Sequence, residues 1–438
     1  MHNYDIIQLY MAFKEKIMKI NSLLDLKKAI NQGFLHIFGS DFINKFIGFG
    51  ISIVLPRIIS IDLFGQYTYA QTILNTFLLF QGLGALSAIL QYCSESYEEE
   101  QKLSYLKYGI KIGMISNLVI SILILLFSIF GSLPIKGSIT ILLYLSAIPI
   151  FSIIFDIIRI YLRVLYENKK FGILGNANTM LYLIGIVSLG LLFSINGIIL
   201  AKYISFMLTI LLGIVYLRKY IFNLSKVKYP NKANRKEFLK FSIISSLTNA
   251  TSQLLFQIDV LLIGNMIRDT STVAIYKAAT LIPMNMLFLP SSVMVFLYPY
   301  FAKQCNNKAW IKAKYLKLQK YLAIINGLIS ITCIIFAPLI IKIIFKAKYL
   351  DCINAFRILW VGYFIAGTFI VPSENILFSI KKVKVNLFNS IISGSLNIVL
   401  NILLILKFGY NGAAIATVIT FIVSSVISNR YLYKYLND

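Results

Sequence analysis

Lys and Arg residues are concentrated in every second gap between the long apolar runs of this 438-residue chain. Each run has about 20 residues or more, enough for a helix to cross a hydrocarbon core about 30 Å thick. The predicted spans cover residues 33–56, 67–90, 108–130, 139–160, 173–194, 198–217, 241–265, 274–300, 321–341, 352–380, 386–406 and 411–430. Of the 42 Lys and Arg residues, only seven lie in the gaps after odd-numbered spans. Basic loops stay on the cytoplasmic side, so the pattern predicts a multi-pass protein with both termini in the cytoplasm.

The composition excludes several classes of protein. With 58% apolar and only 13% charged residues, the chain has no room for a large soluble domain. The net charge of +25 is spread over separate loops, which argues against a nucleic-acid partner. The four cysteines, at positions 93, 305, 333 and 352, have neither the spacing of a metal site nor a disulfide pattern. We therefore predict neither a metal site nor catalytic residues.

Two halves of the chain share a pattern. Residues 189–206 and 404–421 align without a gap, with eight identities in eighteen positions and a common Asn-Gly turn. A shorter match places residues 65–70 against 274–279. An even number of spans in each half gives both halves the same orientation, as in a parallel repeat that rocks about a central site. We predict an all-α integral membrane protein with twelve transmembrane helices in two parallel six-helix repeats around a central cavity. Its parts are a cytoplasmic segment (1–32), an N-terminal bundle (33–217), a cytoplasmic linker (218–240) and a C-terminal bundle (241–438).

The twelve spans in two halves, the short first outward turn at residues 55–70 and its repeat around Tyr276 resemble one family. They look like the polysaccharide-unit (O-antigen, Wzx-type) flippases of the multidrug/oligosaccharidyl-lipid/polysaccharide exporter superfamily. The resemblance covers nearly the whole chain from about residue 18. It implies transfer of an undecaprenyl-pyrophosphate-linked oligosaccharide from the inner to the outer leaflet of a bacterial plasma (inner) membrane. The polymer would be a lipopolysaccharide O-antigen or a capsule-type polysaccharide.

Charged residues inside the spans are the candidate site residues, because a charge at the bilayer centre costs at least about 2.5 kcal/mol and usually faces a wet interior. The candidates for substrate binding in the cavity are Lys45, Asp41, Lys111, Arg159, Lys277 and Arg357. The candidates for coupling or gating are Asp156, Asp259 and Glu374.

We expect an outer group (Asp259, Lys277, Arg357) and an inner group (Lys111, Asp156, Arg159, Glu374) to form two alternating gates. In that hypothesis Lys45 faces the substrate. The alternatives are local pairs, such as Asp41 with Lys45 or Asp259 with Lys277, that only hold helices together.

A cationic groove suits a lipid-linked pyrophosphate, which Lys or Arg can hold through charge-assisted hydrogen bonds. No cofactor is predicted, although the embedded carboxylates allow coupling to a proton or to sodium. The expected partners are the lipid-linked oligosaccharide, membrane lipids and a polysaccharide polymerase complex. A cation-coupled multidrug exporter is the nearest alternative, and a membrane polymerase or glycosyltransferase is a more distant one. The absence of a DxD motif and of a long outward loop argues against an enzyme.

Overall fold

The structure, a computed structural model, describes residues 34–96, 98–380 and 382–437, so the predicted segment 1–32 lies outside it. The regular elements in these ranges are all helices. The first half contains α1 (Phe34–Ile58), α2 (Ile61–Leu78), a 3-10 turn (Gln81–Gly84), α3 (Ala85–Glu95), α4 (Glu99–Phe130), α5 (Ser138–Leu145), α6 (Ile148–Val164) and α7 (Asn168–Leu224). The second half contains α8 (Lys232–Ile267), α9 (Thr270–Met286), α10 (Phe288–Lys303), α11 (Lys308–Ile335), α12 (Ala337–Phe345), a 3-10 segment (Ala347–Cys352), α13 (Ile353–Ile365), a π-helical turn (Ala366–Ile370), α14 (Val371–Ser379), α15 (Val383–Phe408) and α16 (Tyr410–Asn437).

The helices agree with a multi-pass membrane protein. In the described ranges, eight helical segments are long and apolar enough to cross a membrane, and a ninth results if the pair α5 and α6, bent by 44°, is one span. Helical residues lie in all twelve predicted spans, and α7 carries two of them on either side of a break at Ser194. The all-helical membrane fold is confirmed, while the number twelve and the division at residues 218–240 stay predictions.

Equivalent positions in the two halves adopt the same local structure. Ser60 and Asp269, 209 positions apart, both begin a helix by accepting a backbone N–H with their side chains. The turns inside α7 and between α15 and α16 contain Ser194 (φ 52°) and Gly409 (φ 58°), 215 positions apart. The third predicted span of each half buries an asparagine, Asn117 or Asn326.

Hydrophobic packing differs between the two ends of the bundle. We call the end with residues 56–65 and 264–274 the outward end and the opposite end the cytoplasmic end, following the predicted topology. One core cluster at the outward end combines residues of both halves, among them Tyr69 and Tyr276. Toward the cytoplasmic end two separate clusters form. One contains residues of the first half together with Val227 and Phe238, and the other belongs to the second half. The halves are therefore joined by a shared core mainly at the outward end.

The close packing of the Asn-Gly turns predicts that an added methyl group there lowers the stability of the protein. A Cβ atom at Gly412 would overlap the carbonyl oxygen of Leu404, whereas one at Gly327 would meet only the Phe364 ring at 3.6 Å. We expect Gly412→Ala to cost about 1–3 kcal/mol of stability through overpacking. The thermal unfolding midpoint of the detergent-solubilised protein measures this, with Gly327→Ala as the control. Equal midpoints for the two variants would contradict the packing of this turn.

Candidate functional site

A cavity of about 720 Å³ lies between the two halves. α1 and α2 line it on one side, and α8, α9, α15 and α16 line it on the other, together with residues Ile370 to Phe378. The amide and hydroxyl side chains of its wall are Ser52, Thr68, Gln71, Thr72, Asn75, Gln257, Thr280, Asn285, Asn386, Ser390, Ser393, Asn397, Thr417, Thr420 and Ser424. A membrane protein that encloses so many hydrogen-bonding groups has a wall suited to a polar ligand.

Asp259 of α8 is the most highly coordinated charge of the cavity. Its Oδ2 accepts hydrogen bonds from the hydroxyls of Tyr276 and Thr417, each at 2.7 Å. Its Oδ1 accepts from Asn401 Nδ2 at 2.9 Å, and that amide nitrogen also donates to Asn397 Oδ1 at 3.0 Å. Both carboxylate oxygens are therefore engaged by neutral donors from α9, α15 and α16.

Lys277 of α9 lines the same cavity. Its ammonium has neither a hydrogen bond nor an ion pair with any part of the chain that the structure describes. The alternative in which Lys277 pairs with Asp259 is therefore wrong, because neutral side chains already hold the carboxylate. Lys277 is left as a cation whose donors face the cavity.

Glu374 of α14 contributes a second carboxylate near the cytoplasmic end. Its Oε1 accepts a hydrogen bond from Asn389 Nδ2 at 3.3 Å, and its backbone carbonyl accepts from Asn386 Nδ2 at 3.0 Å. Asn389 also donates to the Ser424 and Ser428 hydroxyls at 2.9 and 2.8 Å. This network ties α14, α15 and α16 together.

A third polar network lies in the first half. Gln71 of α2 accepts a hydrogen bond from Lys202 Nζ at 2.9 Å and another from the Tyr67 hydroxyl at 3.3 Å. Its Nε2 donates to Asn75 Oδ1 at 2.9 Å, and the Tyr67 and Tyr182 hydroxyls are 3.0 Å apart. Lys202 is thereby held one side chain behind the cavity wall.

The outward end of the cavity is closed by contacts between the halves. Lys348 Nζ donates to the Ile59 carbonyl at 2.6 Å, and Lys346 Nζ donates to the Arg57 carbonyl at 3.3 Å. These carbonyls lie at the C-terminal end of α1, where backbone acceptors have no partner within the helix and the dipole favours cations. The Phe64 and Tyr349 rings pack edge to face nearby.

The remaining candidates are not among the described residues that line this cavity. Lys45 is exposed and is not among the residues of the cavity wall, and the Asp41 side chain lies outside the described residues. Lys111 stands 5.5 Å from the Tyr229 ring, and Arg357 Nε donates to the Ile334 carbonyl at 3.1 Å. Their roles, including the outer and inner gates, stay predictions.

Asp156 and Arg159 lie together in α6, outside the cavity wall. Asp156 Oδ2 accepts a hydrogen bond from Gln81 Nε2 at 2.9 Å. The Arg159 guanidinium stacks 4.4 Å from the Phe171 ring centroid, a distance typical of a cation–π contact. These contacts connect α6 to the α2–α3 turn and to α7.

Sequence reasoning missed the neutral half of the site. Asn386, Asn389, Ser393, Asn397 and Asn401 follow one another at intervals of three or four residues along α15. That spacing places them on one helical face, and it is visible in the sequence. Lys202, near the start of the sixth predicted span, also belongs to this polar set, because the structure places it against Gln71.

Comparison with known proteins gives the class. Residues 30–304 match the family described as "Polysaccharide biosynthesis protein". The match covers more than half of the chain, so the chain belongs to this family. An uncharacterized membrane protein of Methanocaldococcus jannaschii is 32% identical over 170 residues, which are 38% of this chain and 33% of that protein. The chain thus matches only a third of the length of that curated relative.

Solved structures agree with the class. The lipid II flippase MurJ in an inward closed conformation has a TM-score of 0.72 at 19% identity, covering 90% of this chain and 87% of that chain. An inward-facing multidrug resistance MATE family transporter of the MOP superfamily has a TM-score of 0.71 at 16% identity, covering 90% of this chain and 94% of that chain. An outward-facing conformation of such a transporter has a TM-score of 0.60 at 16% identity, covering 94% of this chain and 96% of that chain. The chain therefore has the fold of these flippase and transporter structures.

The closure predicts that the outward end opens when its lysine contacts are lost. A hydrogen bond from a charged group is worth about 1.5–3 kcal/mol, less at an exposed site, so we expect Lys348→Met to shift the equilibrium toward outward opening about fivefold. The measurement is labelling of a cysteine introduced at Thr68 by a membrane-impermeant maleimide from the outward side. Lys342→Met, a change at an exposed lysine, is the control. Unchanged labelling in Lys348→Met would contradict the closing role.

Proposed function

We propose that this protein moves undecaprenyl-pyrophosphate-linked oligosaccharide repeat units from the inner to the outer leaflet of a bacterial plasma membrane by alternating access. The product would serve assembly of an O-antigen or capsule-type polysaccharide. The observation that carries the proposal is the cavity wall of amides and hydroxyls with the ammonium of Lys277, which has no partner in the described part of the chain. The membership in a polysaccharide biosynthesis family supports the same substrate class.

The chemistry of the substrate explains the need for such a wall. Each sugar hydroxyl or amide costs several kcal/mol to bury without a partner, and the pyrophosphate costs far more. Amides and hydroxyls on both sides of the cavity replace water around the sugars. Lys277 can hold a phosphate oxygen through a charge-assisted hydrogen bond, while the polyprenyl tail stays in lipid.

The membrane potential favours this direction of transfer. Moving a negative charge out of a cell with a negative interior gains about 2.3 kcal/mol per 100 mV. A pyrophosphate carries about two such charges. Export of the charged lipid is thus assisted even without a coupled ion.

The carboxylates of the cavity favour a second candidate function, cation-coupled export of cationic drugs. Asp259 and Glu374 both line the wall, and a MATE transporter has a similar fold. The arrangement supports this candidate less well, because three neutral donors hold Asp259 and Asn389 donates to Glu374. The charge of the wall that has no partner among the described residues is the cation, Lys277.

Asp259 is the coupling residue in this proposal. The buried Oδ1 of Asn401 has no hydrogen-bond partner among the residues that the structure describes, and the Thr417 hydroxyl and Asp259 oxygens lie beside the same amide. Carboxylate, amide and hydroxyl oxygens together suit a hard cation, so sodium fits this set better than a proton alone. Asp156 and Glu374 keep their proposed coupling or gating roles, and a polymerase complex and membrane lipids are the proposed partners.

The flippase function predicts leaflet exchange in proteoliposomes. A fluorescent undecaprenyl-pyrophosphate oligosaccharide is reconstituted, and a membrane-impermeant quencher reports the label in the outer leaflet. We expect quenching to pass from about half to nearly all of the label with the wild type, and about tenfold more slowly with Lys277→Gln. Lys342→Gln is the matched control. A label that stays protected while a cationic dye is transported in the same vesicles would support the exporter instead.

The coupling role predicts a sodium effect on stability. A ligand that binds only the folded protein raises its stability in proportion to the logarithm of its concentration. We expect sodium to raise the thermal unfolding midpoint of the wild type at constant ionic strength, with no such rise in Asp259→Asn. Asp351→Asn, at an exposed carboxylate, should keep the rise. An equal effect of potassium on the wild type would contradict a sodium site.

A further inference from the structure

Lys202 of α7 is a partly buried cation without a counter-ion in the described part of the chain. Its ammonium makes one described hydrogen bond, to the neutral Oε1 of Gln71. An ammonium kept from water is costly unless an anion or several acceptors surround it. One neutral acceptor leaves two of its three donors without a partner in the described structure.

The repeat relates Lys202, which lies behind the cavity-lining Gln71, to a residue of the cavity wall in the second half. Lys202 aligns with Thr417 at an offset of 215, and Tyr67 aligns with Tyr276 at an offset of 209. In the second half, Thr417 and Tyr276 surround the Asp259 carboxylate. In the first half, the aligned residues Lys202 and Tyr67 surround Gln71.

The part of α1 that lines the cavity carries no carboxylate. Residues 42–58 of α1 contain neither Asp nor Glu, whereas α8 carries Asp259. A Cβ at Gly48 of the cavity wall would meet nothing within 4 Å, so there is open space beside this part of α1. The charge of Lys202 is therefore left for a ligand.

We propose that Lys202 is a second cationic contact for the anionic group of the substrate, exposed to the cavity when Gln71 turns away. This assignment rests on the proposed function and specifies the subsite of the phosphate group. A phosphate oxygen replaces the Gln71 carbonyl oxygen as acceptor, and the exchange is favourable because it adds a Coulomb attraction to the ammonium that a neutral amide does not supply. Gln71 thereby acts as a stand-in for the anion when the cavity holds no substrate.

The test measures binding of two lipids to the full chain in nanodiscs. The probes are undecaprenyl pyrophosphate and the uncharged undecaprenol. We expect Lys202→Gln to weaken binding of the pyrophosphate about tenfold without changing the binding of undecaprenol, because one contact to the charged group is lost. Lys202→Arg should keep most of the affinity, and Lys342→Gln should leave both lipids unaffected.

A second variant separates direct contact from a structural role. Gln71→Ala removes the competing acceptor, so direct contact predicts pyrophosphate binding at least as tight as in the wild type. If Lys202 only positions Gln71, then Gln71→Ala and Lys202→Gln should lose the same affinity, and the assignment is overturned. If Lys202→Gln does not fold, Gln71→Ala still tests the proposal by itself. Weakened binding of the pyrophosphate by Gln71→Ala would overturn the direct contact of Lys202 with the substrate.

The outcomes also separate this inference from the proposed function. If the wild type prefers the pyrophosphate and Lys277→Gln loses that preference while Lys202→Gln keeps it, only the role of Lys202 is overturned. If the wild type binds the two lipids equally, the proposed function fails together with this assignment.

Discussion

The packing of the outward end determines how the rest of this molecule is arranged. There the two halves share one hydrophobic core, and lysines of the second half cover the free carbonyls at the end of α1. Toward the cytoplasmic end the cores separate, with α8 contributing to the core of the first half. Because the halves are joined so closely at one end, the polar cavity between them is closed there.

The two halves share a backbone plan but differ in the charges they present to the cavity. Equivalent positions begin helices at Ser60 and Asp269 and form the turns near Gly197 and Gly412. At the cavity, the second half presents Asp259 among neutral donors, and the first half holds Lys202 against an amide. The duplicated fold thus supplies two related surfaces, one suited to a cation and one suited to an anion.

Much of the fold follows from the sequence, because a lipid-embedded chain must satisfy its backbone within helices and alternate its basic loops. The aligned Asn-Gly turns of the sequence also lie at positions with the same local structure in the two halves. The site was harder to predict. The depth of a charged residue in a span shows that it needs a partner, but it does not show which face of the helix the residue occupies. Of the nine candidates, Asp259, Lys277 and Glu374 line the described cavity. The criterion of charge inside a span selects only ionisable side chains, so the neutral α15 stripe was overlooked.

The central claim is that the halves rock about the cavity, closing one end as the other opens. Pulsed electron paramagnetic resonance tests it directly, with spin labels at the exposed positions 136 and 407 near the outward end and 163 and 382 near the cytoplasmic end, in a chain lacking Cys305 and Cys333. Alternating access predicts that undecaprenyl pyrophosphate changes the two distances in opposite directions. If both distances lengthen together, or if neither changes, the halves do not alternate and the account is contradicted.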